Sequence, residues 1–166
     1  MVVVMAKKAA GATPAMVALT KAGIEFTVRS YTHDPAETDF GGEAARELGI
    51  EETRVFKTLL ADLDGSLVVA VVPVAGMLDL KALASALGGK RAQMADPKIA
   101  ERKTGYVVGG ISPLGQKTRL ATVIDISAPG FSSILVSGGR RGLDIELSAK
   151  DLARATGGSF AAIARV

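Results

Sequence analysis

Apolar and polar residues alternate along this chain in two rhythms, which divide it into short strands and short helices. Ile24, Phe26 and Val28 fall on alternate positions, so residues 24–31 are expected to form a strand. A second strand is expected over 55–61 and a third over 67–74, where the apolar run is nearly continuous. Asp62-Leu63-Asp64-Gly65 between them supplies turn chemistry, and the pair reads as a hairpin near the centre of a sheet. Further strands are expected over 122–126, 134–137 and 143–147. Helix signals punctuate them. Thr13-Pro14 caps and opens a helix that Gly23 can end. Residues 43–48 form a short helix stopped by Gly49. Asp79 caps one carrying Leu80, Leu83, Ala84 and Leu87, and Asp96-Pro97 starts another. Ser148 caps the last, with Asp151 at the third position as in a capping box.

These elements are interspersed without steady βαβ alternation. That order predicts an α+β fold with a mixed, mainly antiparallel sheet flanked by helices. Its 166 residues suit one domain, expected over 13–166 behind a flexible N-terminal extension at 1–12. The apolar start Met1-Val2-Val3-Val4-Met5 is too short for a signal peptide or a membrane span, and a cytoplasmic location is expected.

Composition narrows the chemistry. The chain has no Cys and a single histidine, His33. Disulfides, thiolate zinc sites, a catalytic Cys and multi-histidine metal centres are all excluded. No Asp/Glu cluster announces a magnesium site, so neither metal nor cofactor is expected. The net charge of +3 is mild, but cations recur in groups at Lys90-Arg91, Arg102-Lys103, Lys117 with Arg119, and Arg140-Arg141. Sharing a face, they would attract phosphates; scattered, they would only be solvated surface. No dinucleotide-binding fingerprint or P-loop is present, and a Ser-His-Asp triad would need His33, beside Asp34-Pro35 in a turn.

Three segments are odd as structure and sensible as a site. In Val55-Phe56-Lys57-Thr58-Leu59-Leu60, Lys57 interrupts an apolar strand. It could face water, or sit at a pocket floor where its ammonium binds a carbonyl or an incipient oxyanion. The run from Gly105 to Gly115 contains Gly109-Gly110, and its glycines allow close backbone approach to a ligand or simply tight turns. In Ser137-Gly138-Gly139-Arg140-Arg141-Gly142-Leu143-Asp144 a strand ends in a glycine pair and two cations. That is either a basic hairpin tip or a set of hydroxyl, N–H and guanidinium donors for a phosphate or a tRNA terminus.

Together these segments resemble the YbaK/EbsC family of aminoacyl-tRNA deacylases, related to the editing domain inserted in bacterial prolyl-tRNA synthetases. The shared stretches include Tyr31 to Thr38, Val55 to Leu60, Pro73 to Gly76, Met94 to Pro97, Thr104 to Gln116 and Ser137 to Leu147. The resemblance runs from about Thr13 to the C-terminus and is closest to the Cys-tRNA(Pro) deacylases. It implies a bifurcated, mainly antiparallel sheet. It places the family's essential lysine at Lys57, its pocket walls at Tyr31 and Phe40, and a neighbouring threonine at Thr58. The loop glycine falls at Gly109 or Gly110, and the late Ser and Asp at Ser137 and Asp144. Gly138, Gly139 and Arg141 join these as substrate-binding candidates.

The implied activity is removal of cysteine from mischarged Cys-tRNA(Pro), and from Cys-tRNA(Cys) as well, with the substrate's own thiol assisting cleavage. Mischarged tRNA and prolyl-tRNA synthetase are the implied partners, with no role for DNA or a membrane. Three alternatives stay open: a Ser137 nucleophile with Lys57 as base, a deacylase for another species such as Ala-tRNA(Pro), and a non-catalytic module binding tRNA or the synthetase.

Overall fold

A computed structural model describes residues 11–166. Most of the expected extension, residues 1–10, lies outside the described residues. In chain order the elements are α1 (Pro14–Lys21), β1 (Thr27–Ser30), α2 (Phe40–Leu48), β2 (Phe56–Leu63), β3 (Ser66–Pro73), β4 (Met77–Leu78), α3 (Leu80–Ala86), β5 (Ala92–Met94), α4 (Pro97–Thr104), β6 (Ala121–Asp125), β7 (Ile134–Arg140), β8 (Leu143–Leu147), α5 (Ala149–Thr156), β9 (Ser159–Ala161) and β10 (Ala164–Arg165). The fold is α+β, and its sheets are mixed with mainly antiparallel pairings.

Side-chain caps fix the helix starts. Thr13, Asp39, Asp79, Asp96 and Ser148 each accept a hydrogen bond from a backbone N–H in the first turn of the helix they precede. The cap at Asp39 starts α2 at Phe40, three residues earlier than the sequence suggested. Two glycines in its first turn, Gly41 and Gly42, hid that start. The hairpin joining β2 and β3 is tighter than expected. Strand β2 runs on to Leu63, and only Asp64 (φ 51°) and Gly65 (φ 93°) make the turn. Strand β1 begins at Thr27 rather than Ile24, because Ile24 N–H is taken by Leu19 O. Ile24 and Phe26 are nevertheless buried in the core.

Five strands form one sheet in the order β5-β2-β3-β6-β9, and three form another in the order β1-β8-β7. A single parallel bridge, Val55 to Leu135, ties the two, with Leu135 N–H donating to Arg54 O at 3.1 Å. Beyond it β2 and β7 part, and the sheet forks. Side chains at matched positions of parallel strands share a face. Lys57 and Ser137, each two residues past the bridge, therefore follow Val55 and Leu135 onto the face covered by α2, where Ala44 and Ala45 pack. The peptide groups follow a second parity. Val74 N–H donates to Val55 O, so odd-numbered residues of β2 pair with β3. Even-numbered ones point the other way: Leu60 O takes Ala95 N–H, while Phe56 and Thr58 turn their peptide groups to the fork.

A buried carboxylate braces the fork. Glu146 on β8 accepts from Arg29 Nε (2.9 Å), Arg54 Nη2 (2.5 Å) and Ser133 Oγ (2.5 Å), joining β1, β8 and the chain entering β2 and β7. Burial alone would raise its pKa, but the Ser133 hydroxyl and the two guanidiniums outweigh that and hold it below the ordinary value. The stability it confers is complete above about pH 4.5 and is lost as the pH falls below that range. Removing one partner strands the rest, so Glu146→Gln is expected to cost about 2 kcal/mol or more. Denaturant unfolding at pH 7 and pH 3 measures this: the gap between wild type and variant should be wide at pH 7 and should shrink at pH 3.

Candidate active site

The fork holds a cavity of 410 Å³. Its first wall is β2, from Phe56 to Leu60. Its second is Ser137 on β7 with Asp144 on β8, which face each other in the strand register. Tyr31, just past β1, and Phe40, the first residue of α2, close one end. Ala95, just before α4, and Pro97 and Ala100, in its first turn, close the other. The loop after α4 contributes Val108, Gly109 and Ile111.

Of the expected site residues, the cavity brings together Lys57, Tyr31, Phe40, Thr58, Gly109, Ser137 and Asp144. Gly110, Gly138, Gly139 and Arg141 stand outside its lining. Gly109 and Gly110, which the sequence could not separate, do different things. Gly109 has φ +87° and follows Val108 in a turn closed by Gly110 N–H donating to Val107 O at 2.9 Å. That bond leaves the Gly109 N–H out of the turn. Gly110 instead lies against the Arg140 backbone, where an added Cβ would come within 2.7 Å of Arg140 Cα.

Arg141 acts as a latch over this turn. Its Nε and Nη2 both donate to Val108 O, at 3.0 and 2.7 Å, and its guanidinium carbon sits 4.5 Å from the centre of the Phe40 ring. Glu101 on α4 takes the Val108 N–H at 2.8 Å. The peptide groups of the loop are thus held from two elements. Nothing larger than glycine fits beneath the latch, since a Cβ on Gly109 would meet both Arg141 Nε and Phe40 at 2.8 Å. On its other side Phe40 meets the His33 ring, centroids 5.9 Å apart, and His33 Nδ1 bonds buried Glu43 at 2.6 Å. His33 is therefore part of the wall's support and is absent from the cavity lining.

The electrostatics are uneven. Asp144 is 6% exposed, and burial pushes its carboxyl from 3.8 up to about 7. Tyr31 is pushed up to about 12, first by burial and then by the Asp144 charge, and its phenol stays protonated. Thr58 Oγ1 is buried in the cavity wall without a hydrogen-bond partner. A native group left that way calls for an explanation such as a ligand. Among the described residues no group of three or more His, Cys, Asp or Glu could hold a metal, and no helix is long and apolar enough to cross a membrane.

Sequence reasoning missed Asp39, Gly41, Phe56, Leu59, Leu60, Met94, Ala95, Pro97, Ala100, Val108 and Ile111 as lining residues. Asp39 could have been found as the cap before Phe40. The apolar ones carry no local signal, because they become lining only where two strands part.

The aminoacyl-tRNA editing domain family matches residues 35–155. A candidate Cys-tRNA(Pro)/Cys-tRNA(Cys) deacylase, EbsC of Enterococcus faecalis (strain ATCC 700802 / V583), is 41% identical over 138 residues, spanning 81% of this chain and 84% of that protein. A proline–tRNA ligase of Geobacter metallireducens (strain ATCC 53774 / DSM 7210 / GS-15) is 35% identical over 101 residues, 61% of this chain but 17% of the ligase. The crystal structure of a candidate trans-editing enzyme for prolyl-tRNA synthetase superposes with a TM-score of 0.80, over 96% of this chain and all of that one. At 24% identity that likeness establishes the fold.

The raised Asp144 carboxyl has a measurable consequence. Its protonated form suits the fold, so its contribution is intact below about pH 4 and is lost as the pH rises through about 7. Asp144→Asn is expected to melt higher than wild type at pH 8, with the gap closing toward pH 4. A gap independent of pH would show that the carboxyl titrates at its ordinary value.

Proposed function

The chain belongs to the aminoacyl-tRNA editing domain family, and we propose that it is an enzyme that removes cysteine in trans from mischarged Cys-tRNA(Pro), and also from Cys-tRNA(Cys), in the fork cavity. The observation that carries this reading is the company Lys57 keeps. One cavity combines its ammonium, a buried carboxylate, a glycine turn and an unpartnered hydroxyl, with no Cys or His among the lining residues. A site so equipped can bind and polarise an ester but lacks a thiol–imidazole pair to attack it, which favours a nucleophile brought by the substrate.

The proposed step is internal to the substrate. The cysteinyl sulfur attacks its own carbonyl carbon, a C–S bond forms, the ester C–O bond breaks, and the thiol proton ends on the departing ribose oxygen. Lys57 lowers the energy of the thiolate and of the oxyanion, since a nearby cation depresses a thiol pKa of about 8.5. The Gly109 N–H adds a second donor to the oxyanion. Ionised Asp144 receives the α-ammonium, Ser137 and Thr58 orient the aminoacyl ribose, and Tyr31 and Phe40 wall it in. Arg141 positions the glycine turn. Discrimination between tRNAs is assigned to prolyl-tRNA synthetase as partner.

Lys57→Ala should lower kcat/KM for Cys-tRNA(Pro) by at least about 100-fold, the loss typical of one missing oxyanion donor, while melting like wild type. Presented on one tRNA, cysteine should be removed, and alanine and serine spared, because neither carries the thiol. Retained turnover in Lys57→Ala would remove the lysine from the scheme. Equal release of alanine would replace the thiol with water, and loss of turnover in Ser137→Ala with a trapped acyl-enzyme would make Ser137 the nucleophile.

A further inference from the structure

We propose that the exposed cations of α4 and of the loop segment beside its C-terminal end form a track for the phosphate backbone of the RNA whose terminal ester enters the cavity. The inference rests on the editing reading and adds to it a docking face. Pro97 and Ala100 place one side of α4 in the cavity wall, and Ala100 and Thr104 are its buried positions. Lys98 and Arg102 are exposed and one helical turn apart, so they form a stripe on the solvent side of α4, opposite Ala100 and the cavity wall. Lys103 is the next exposed position. Lys117 joins them through the backbone, because Lys117 N–H donates to Thr104 O at 2.9 Å and Thr118 N–H to Lys103 O at 3.1 Å. Arg119 turns away toward the end of α5, where it would meet a side chain at Gly157, and is not part of the track.

The charge is concentrated. Residues 97–119 carry five Lys and Arg against one acid, Glu101, an excess of four where the whole chain has three. Glu101 is itself engaged, accepting the Val108 N–H at 2.8 Å. Among the described residues no ion pair engages Lys98, Arg102, Lys103 or Lys117, whereas Arg29, Arg46, Arg54, Arg154 and Arg165 each meet a carboxylate. Unpaired cations clustered on and beside the helix that walls a cavity suit a polyanion rather than a fold. An ester at the 3′ end of a nucleic acid puts phosphates immediately outside any cavity that holds it. Phosphate contacts of this kind position the ligand and carry no sequence information, which fits a site whose tRNA choice comes from a partner.

The test uses an uncharged acceptor-stem RNA hairpin ending in CCA, followed by fluorescence anisotropy, together with two substrates, the cysteinylated hairpin and 2′(3′)-O-cysteinyladenosine. Lys98→Glu/Arg102→Glu should weaken hairpin binding at least about tenfold near 0.1 M salt and flatten the log-log salt dependence by roughly two units. It should raise KM for the cysteinylated hairpin with kcat unchanged and leave cysteinyladenosine cleavage as in wild type. Lys98→Gln/Arg102→Gln should show the same pattern more weakly. Lys81→Glu, on α3, serves as the control for net charge and should do little. Wild-type hairpin binding in the double variant, or an equal loss in Lys81→Glu, would overturn the proposal and leave the editing reading standing. Conversely, a wild-type protein that cleaves neither substrate yet loses hairpin binding in the variant would sink the editing reading and keep the track.

Discussion

One parallel bridge between Val55 and Leu135 decides the shape of this molecule. Among the described residues it is the single point at which the two sheets are tied together. On the far side β2 and β7 separate, and the strand edge carrying Phe56 and Thr58 has lost its neighbour. An open edge is usually a liability, because its free peptide groups invite another strand. Here α4, the glycine turn and the first turn of α2 roof it over, leaving a cavity rather than a ladder. The parity of the strands then does the rest. Counting two residues from the bridge on each side puts Lys57 and Ser137 on opposite lips and on the same face, and Asp144 follows Ser137 across the β7–β8 pair.

Holding such a cavity open requires bracing, and the bracing is polar. Glu146 ties β1 and β8 to the chain entering β2 and β7, through two arginines and a serine at the closed end of the fork. At the open end Arg141 fastens the glycine turn to the Phe40 ring, and the His33–Glu43 pair supports that ring from behind. Each is a small network in which every partner is satisfied, the condition under which buried polar groups specify one arrangement. The exceptions lie inside the cavity, where Thr58 Oγ1 has no partner and Asp144 is kept near neutrality by burial. The groups the fold leaves unsatisfied both line the cavity.

That division explains what could be read from the chain. Lys57 in an apolar strand, the clustered glycines around Gly109 and the run from Ser137 to Asp144 each break a local rule, and rule-breaking positions tend to be functional. All three contribute to the cavity. Tyr31 and Phe40 were reached through family resemblance, because an aromatic residue at the end of a strand or the start of a helix looks like ordinary core. Met94 and Ala100 were illegible for a different reason. Their exposure to the cavity is created by the parting of two strands far apart in the chain, which no periodicity encodes. The short strands β4, β5, β9 and β10 were missed as well, since two or three residues cannot display an alternation. Arg141, a substrate-binding candidate in the sequence, fastens the glycine turn through Val108 O and lies over the Phe40 ring.

The central claim is that the ester sits in the fork, between Lys57 and the Gly109 turn. The most direct measurement is an NMR titration with a non-hydrolysable cysteinyl-adenosine amide, following backbone amides and lysine side chains. The account predicts saturable shifts at the Lys57 ammonium and at the Thr58, Gly109 and Ser137 amides, with α3 unmoved. Shifts confined to another surface, with the Lys57 and Gly109 signals unchanged at saturation, would contradict it.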